Sequence, residues 1–360
     1  MNLVTPILLM WFIIIQLTQP AQRIDQLLDK KVREYYNKRE FNGAILVAKK
    51  GEVIFKKGYG YADINKKIRN DEHTKFSIGS TTKSFTAIAI IQQVIQGNLD
   101  LHTPISEYIP ELNKKIGAIT LHQLMKNISG LPVHLSRITT LEYRDITSDE
   151  LIDLYNTIDL SFEPGSKFEY SNLNYQLCSI ILERVSGMTY KEYLKQFVFD
   201  PVGMTQSGLE RTHEFPADKA QGYDVRGEYL IKSERNYMGY AKGGGDMYSN
   251  LMDLFKWDQA LYQDALVSKK GKALLFDGDP NIYDGYGYGF KIKQYQRNST
   301  DKPQGKLVRH GGSMYGYSCN VHRYLDDQVT IIVLGNIRPY PVMEITLAIE
   351  KILNQEGYFE

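Results

Sequence analysis

Strand-like sequence occurs at the two ends of this chain and is scarce between them, and that spacing restricts the folds open to it. Near the N-terminus, "GAILVAKKGEVIFKKGYGYAD" holds two β-rich runs around Lys49-Lys50-Gly51-Glu52, with Gly51 supplying the turn of a hairpin. Strand patterns return only late, in "YGYGFKIKQYQ", "KLVRH", "YGYSCNVHRYL" and "QVTIIVLGN". From Leu99 to Tyr262 helical segments and Gly/Pro/Asn loops dominate. A helix precedes the hairpin, with Ile24, Leu27, Leu28, Val32, Tyr35 and Tyr36 on one stripe. Another closes the chain, with Val342, Ile345, Ile349, Ile352 and Leu353 at helical spacing. Ends that each bring strands and a helix predict an α/β (α+β) fold: one antiparallel sheet flanked by N- and C-terminal helices, with an inserted all-α region.

The expected organisation is one catalytic unit over 22–360, its sheet part about 22–79 and 285–360 and its helical part about 80–284. Residues 1–21 stand apart. "LVTPILLMWFIIIQL" (Leu3 to Leu17) is almost continuously apolar, short of the roughly twenty residues of a membrane span and suited to a signal-peptide core. Ala21 offers a small-residue cleavage point, although the first Lys or Arg is Arg23. The reading is a signal peptide, with an uncleaved N-terminal anchor as its competitor. Both place the remainder outside the cytoplasm, secreted or periplasmic, with membrane association through the N-terminal segment in the second case.

Charge excludes one function class. With 43 basic and 42 acidic residues and no long basic run, there is no electrostatic case for nucleic acid. Two cysteines make neither a disulfide framework nor a metal cluster, and read as buried thiols. The seven histidines show no metal-ligand spacing, so neither metal nor other cofactor is expected.

Three polar motifs carry candidate chemistry. In "FSIGSTTKSFTAIAI", Ser80 and Lys83 are three residues apart at the start of an apolar helical run, so hydroxyl and ammonium can meet on one face. Serine needs a base within hydrogen-bond reach, and lysine can be that base if burial lowers its pKa. In "EPGSKFEYSNLNY", Tyr170 offers a phenol for proton transfer and Asn172 both a donor and an acceptor. In "LVRHGGSMYGYS", His310 ends a strand, Gly311 and Gly312 permit close backbone approach, and the backbone N–H that follows can form half of an oxyanion hole. Each motif alone also fits a plain reading. Ser80 could cap a helix with Lys83 in water, Ser171 or Asn172 could be an N-cap beside a packed Tyr170, and the glycines could form a hairpin. A second S-x-x-K, Ser299 to Lys302, sits in a polar stretch beside Asp301 and Pro303 and reads as loop.

Taken together and in order, Ser80-Thr81-Thr82-Lys83, Tyr170-Ser171-Asn172 and His310-Gly311-Gly312 resemble the three boxes of the serine β-lactamase and penicillin-binding protein superfamily. The resemblance is nearest to class C β-lactamases and their D,D-peptidase and esterase relatives. The flanks "GYGYAD", "ITLHQLMKNISGLP", "VFDPVGM" and "AKGGGDMYSNLMDLFKW" extend it from about Phe41 to the end. It implies a sheet domain and an all-α domain with the site between them, Ser80 as the acylated nucleophile, and proton transfer shared by Lys83 and Tyr170. Asn172 would hold the substrate amide and His310 would line the groove. The N–H groups of Ser80 and Ser313 would form the oxyanion hole. One box departs: many true β-lactamases carry Lys-Thr-Gly where this chain has His-Gly-Gly, and histidine near pKa 6.5 is charged only part of the time. The implied activity is a serine hydrolase acting on amide or ester substrates, with a small-molecule or peptide partner such as a D-amino-acid peptide, a cell-wall peptide or a β-lactam. The alternative is a penicillin-binding or peptidoglycan-sensing protein with little or no turnover.

Overall fold

In a computed structural model the protein is described over residues 23–360, apart from 228, 235, 280 and 340. The apolar segment from Leu3 to Leu17, with the signal-peptide or anchor reading attached to it, lies outside the described residues. No helix among the described residues is long and apolar enough to cross a membrane.

The expected sheet forms, and it joins the two ends of the chain. Its strands are β1 (Gly43–Lys49), β2 (Glu52–Tyr59), β3 (Lys291–Gln296), β4 (Gln304–Met314), β5 (Tyr317–Tyr324) and β6 (Val329–Gly335), in the order β3-β4-β5-β6-β1-β2. Every neighbouring pair is antiparallel. The N-terminal hairpin extends the C-terminal meander by pairing β1 with β6, Gly43 opposite Gly335 and Leu46 opposite Ile332.

Side-chain alternation along β1 explains why both faces are covered. Ile45 and Val47 point to one face, where they meet helix α1 (23–37) through Ile24, Leu28 and Val32, and the C-terminal helix Val342–Gln355 through Ile345, Ile349 and Leu353. Ala44, Leu46 and Ala48 point to the other face and join the large core that holds the inserted helices. The insert is mainly helical. It also carries short strands, among them Tyr223–Arg226 paired with Tyr229–Lys232, and Met247–Ser249 paired with Phe76–Ser77.

Two helices of the insert matter for the site. Helix α2 (Thr82–Gln96) is buried from Thr82 to Ile91 without a break and ends at Gly97, φ +81°, as a left-handed C-cap. A helix buried on every side over these turns belongs in a core rather than on a surface. Helix α3 (Asn172–Ser186) begins at Ser171, whose Oγ accepts from the Leu173 N–H at 3.2 Å. Both cysteines are buried and free; Thr81 donates to the Cys319 sulfur at 3.4 Å.

Candidate active site

The site is assembled where the end of β4 meets the start of α2. Ser80 lies in a single 3-10 turn, Gly79–Thr81, just ahead of the helix. Neither that turn nor α2 has a side-chain cap, so Ser80 is not spent on capping. The turn and the strand touch through glycines. A Cβ on Gly312 would stand 1.8 Å from the Ile78 carbonyl oxygen and 2.7 Å from the Ser80 nitrogen. One on Gly79, which has φ +51°, would stand 2.7 Å from the Ser313 nitrogen. Only chains without side chains can pass this closely, and the approach brings the backbone nitrogens of Ser80 and Ser313 to the same edge.

Lys83, the second residue of α2, is fully buried, 0% exposed. Its Nζ donates to Ser80 Oγ at 3.1 Å, to Asn172 Oδ1 at 2.6 Å and to the Gly244 carbonyl at 2.6 Å. It also lies 4.9 Å from the centre of the Tyr170 ring and 5.9 Å from that of Tyr175. Burial pulls its pKa down to about 7, against the opposing pull of the buried Asp246 carboxylate. Asp246 is itself raised to about 7 by burial and accepts the Gly243 N–H at 3.0 Å. With three acceptors around it, Lys83 satisfies every proton of an ammonium. When neutral it keeps two N–H donors for Asn172 and Gly244 and turns its lone pair to the Ser80 hydroxyl.

Tyr170 presents the opposite case. Burial drives its pKa well up, with the Ser80 hydroxyl drawing it back in part, so the phenol holds its proton at neutral pH. Its hydroxyl is buried and has no hydrogen-bond partner of normal geometry. Ser80, Asn172, Gly311 and Gly312 are half-buried, and Ser313 is exposed.

His310 is placed behind this rim rather than on it. It is 5% exposed, and its ring centre is 6.5 Å from that of Tyr170. Nδ1 faces the Gly311 carbonyl at 2.7 Å, an acceptor, so Nδ1 carries the proton. Nε2 then accepts from the Tyr286 hydroxyl at 2.9 Å. Burial, helped by the Lys83 charge, pushes its pKa down to about 3, so it is neutral at physiological pH instead of partly charged. The second S-x-x-K is remote from all of this. Ser299 and Lys302 lie in the loop between β3 and β4, with Lys302 61% exposed and paired with Asp326.

Three contributors were not singled out from the sequence. Gly244 and Asp246 sit in "AKGGGDMYSN", where nothing marks which carbonyl will reach a lysine. His134 follows "SGLPV", and its Nδ1 lies 2.8 Å from Asn172 Nδ2. No spacing rule links it to Asn172, since the contact joins a loop to the first residue of a helix distant in the chain.

Comparisons with known proteins identify the family and the fold. The family described as Beta-lactamase matches residues 25–353. The chain is 30% identical over 329 residues to the putative penicillin-binding protein PbpX of Bacillus subtilis, covering 91% of this chain and 79% of that one. The crystal structure of a penicillin binding protein from Bacillus halodurans superposes with a TM-score of 0.76 at 26% identity, over 90% of this chain and 99% of the other. The D-amino acid amidase of Ochrobactrum anthropi SV3 shares the fold, with a TM-score of 0.78 at 24% identity over 94% and 99% of the two chains. A mixed sheet-and-helix architecture, a serine beside a buried lysine, and a family match spanning nearly all described residues converge: this chain belongs to the Beta-lactamase family.

Proposed function

We propose that the protein is a serine hydrolase that forms an acyl-enzyme on Ser80 with amide or ester substrates: a D-amino-acid peptide, an ester or a β-lactam. The observation that carries this reading is the cage around Lys83. A lysine with pKa about 7, two fixed acceptors and a lone pair aimed at a serine is a general base held in register with its nucleophile. Ser80 Oγ attacks the carbonyl carbon and passes its proton to Lys83, and the oxyanion forms against the backbone N–H groups of Ser80 and Ser313. The carbon–leaving-group bond then breaks, and the departing amine or alcohol takes up a proton delivered by Lys83 and the protonated Tyr170 phenol. Water, deprotonated by the same pair, releases the acid from Ser80 and restores its hydroxyl. Asn172 lies at the rim, where its amide can meet that of a substrate.

The names of the relatives, penicillin-binding protein and D-amino acid amidase, support substrates of peptide or β-lactam type. They and the apolar N-terminal segment also support a catalytic part outside the cytoplasm, secreted or held by its N-terminus. A second reading, a penicillin-binding or peptidoglycan-sensing protein with little or no turnover, draws on the relatives whose names are penicillin-binding proteins.

Intact-mass measurement after mixing with a labelled penicillin and with a p-nitrophenyl ester decides between them, using wild type, Ser80→Ala and Ser299→Ala. Adduct and ester turnover in wild type and Ser299→Ala, both lost in Ser80→Ala, are expected. A long-lived adduct with negligible release moves the answer to the sensor. Absence of both in the wild type removes the catalytic reading.

A further inference from the structure

His134 lies outside the three motifs, yet it ends a hydrogen-bonded line that starts at the nucleophile: Ser80 Oγ, Lys83 Nζ, Asn172 Oδ1, and from the same amide Nδ2 to His134 Nδ1 at 2.8 Å. An asparagine amide can be reversed with almost no change of shape, so its neighbours must choose which end faces Lys83. Reversed, Asn172 would turn an N–H group towards the lysine's own donors. We propose that His134 is a positioning residue: its unprotonated Nδ1 holds the Asn172 amide in the orientation that presents Oδ1 to Lys83.

The backbone supports the contact. Asn172 N donates to the Val133 carbonyl at 3.0 Å and Ser171 Oγ to the Pro132 carbonyl at 2.6 Å. Ser171 N and Glu169 N donate to the side-chain and backbone oxygens of Asn127, each at 3.0 Å. The segment that carries His134 is therefore stitched to the segment that carries Asn172.

A consequence follows for protonation. Because Nδ2 can only donate, Nδ1 must accept, which places the ring proton on Nε2. An imidazolium has N–H at both positions, so its Nδ1–H would oppose Nδ2–H and the bond would be lost. The charged groups facing the ring are Lys83 and Arg137; Arg137 is paired with Glu169 at 3.8 Å, and Tyr170, which stays protonated, is the other titratable group on the adjoining segment. Partial desolvation first, then those two cations, hold His134 below the ordinary histidine value, so the neutral form persists at neutral pH.

This inference rests on the proposed pairing of Ser80 with Lys83, and its first test does not need activity. Nitrogen-15 NMR of the imidazoles should show His134 as the Nε2–H tautomer at pH 8, titrating below about 6.5, and Asn172→Ala should change that tautomer balance. An Nδ1–H tautomer, or no response to Asn172→Ala, overturns the proposal whatever the enzyme does. The second test is kinetic, on an ester the wild type turns over. His134→Ala should lower kcat/KM about tenfold at pH 8, the scale of one lost hydrogen bond in the site. His134→Gln, whose Oε1 can accept the same bond, should recover most of that loss and remove one ionisation from the acidic limb of the pH profile. Equal rates in His134→Ala and wild type, or a His134→Gln profile that superimposes on the wild type's, overturn it. Loss of turnover in the wild type itself would instead strike the serine-hydrolase reading and leave the NMR result standing.

Discussion

Lys83 Nζ stands 3.1 Å from Ser80 Oγ, and its two other hydrogen bonds go to oxygens that can only accept. Proton loss from this lysine therefore leaves one direction for the lone pair, towards the serine. The general-base role proposed for Lys83 therefore rests on what surrounds it rather than on the lysine alone.

Reaction rate should follow that proton. With Lys83 near pH 7, kcat/KM for a neutral ester should rise through about pH 7 as the lysine becomes neutral and level off above it. Lys83→Arg keeps the charge at every accessible pH and should lose roughly 100- to 10,000-fold in acylation. A wild-type rate that stays flat from pH 6 to pH 8 would show that Lys83 is not the base.

Tyr170→Phe should separate activity from stability. The hydroxyl is buried without a partner of normal geometry, so its removal gives up no good hydrogen bond and should leave the unfolding free energy within about 0.5 kcal/mol or raise it slightly. Acylation should nevertheless fall by about 100-fold or more, because a proton carrier is gone. Urea denaturation and single-turnover kinetics on one preparation check both halves.

Gly312→Ala should damage both. Its Cβ would stand 1.8 Å from the Ile78 carbonyl oxygen and 2.7 Å from the Ser80 nitrogen, so β4 and the nucleophile turn must separate. An overpacking cost of roughly 1–3 kcal/mol is expected. The oxyanion donors would also move apart, with a loss of about 100-fold in kcat. Retained activity in this variant would mean that the two nitrogens do not act together.

Acid should weaken the fold through two histidines. His310 and His322 are both buried, and burial lowers each from the ordinary 6.5 to about 3. Below about pH 6.5 the unfolded chain binds protons that the native state refuses, so their stability contribution is complete above that value and is lost towards pH 3. At pH 5 the loss should be roughly 2 kcal/mol for each histidine. Urea midpoints that coincide at pH 7 and pH 5 would contradict this.

Much of the architecture is legible in the sequence because it rests on local periodicity. The stripe through Ile24, Leu28 and Val32 and the one through Ile345, Ile349 and Leu353 each mark a helix that can bury only one side, and both cover the same face of the sheet. The hairpin around Gly51 and the late strands are readable for the same reason, by turn chemistry and alternation. The register that joins them, Leu46 against Ile332, depends on the sheet closing between residues nearly a whole chain apart, and no local pattern encodes it.

The candidate site divides in the same way. Ser80 and Lys83 can be paired from spacing, because i and i+3 share a helix face and the apolar run behind them predicts burial. Spacing cannot separate them from Ser299 and Lys302. Burial does so: one lysine is enclosed in the core while the other reaches Asp326 at the surface. The state of His310 and the contributions of Gly244, Asp246 and His134 were set only when segments distant in the chain met around α2. The identities of the groups proposed to react are thus properties of the sequence. Their pKa values, tautomers and lone-pair directions belong to the tertiary structure, because desolvation and hydrogen-bond partners come from residues distant in the chain.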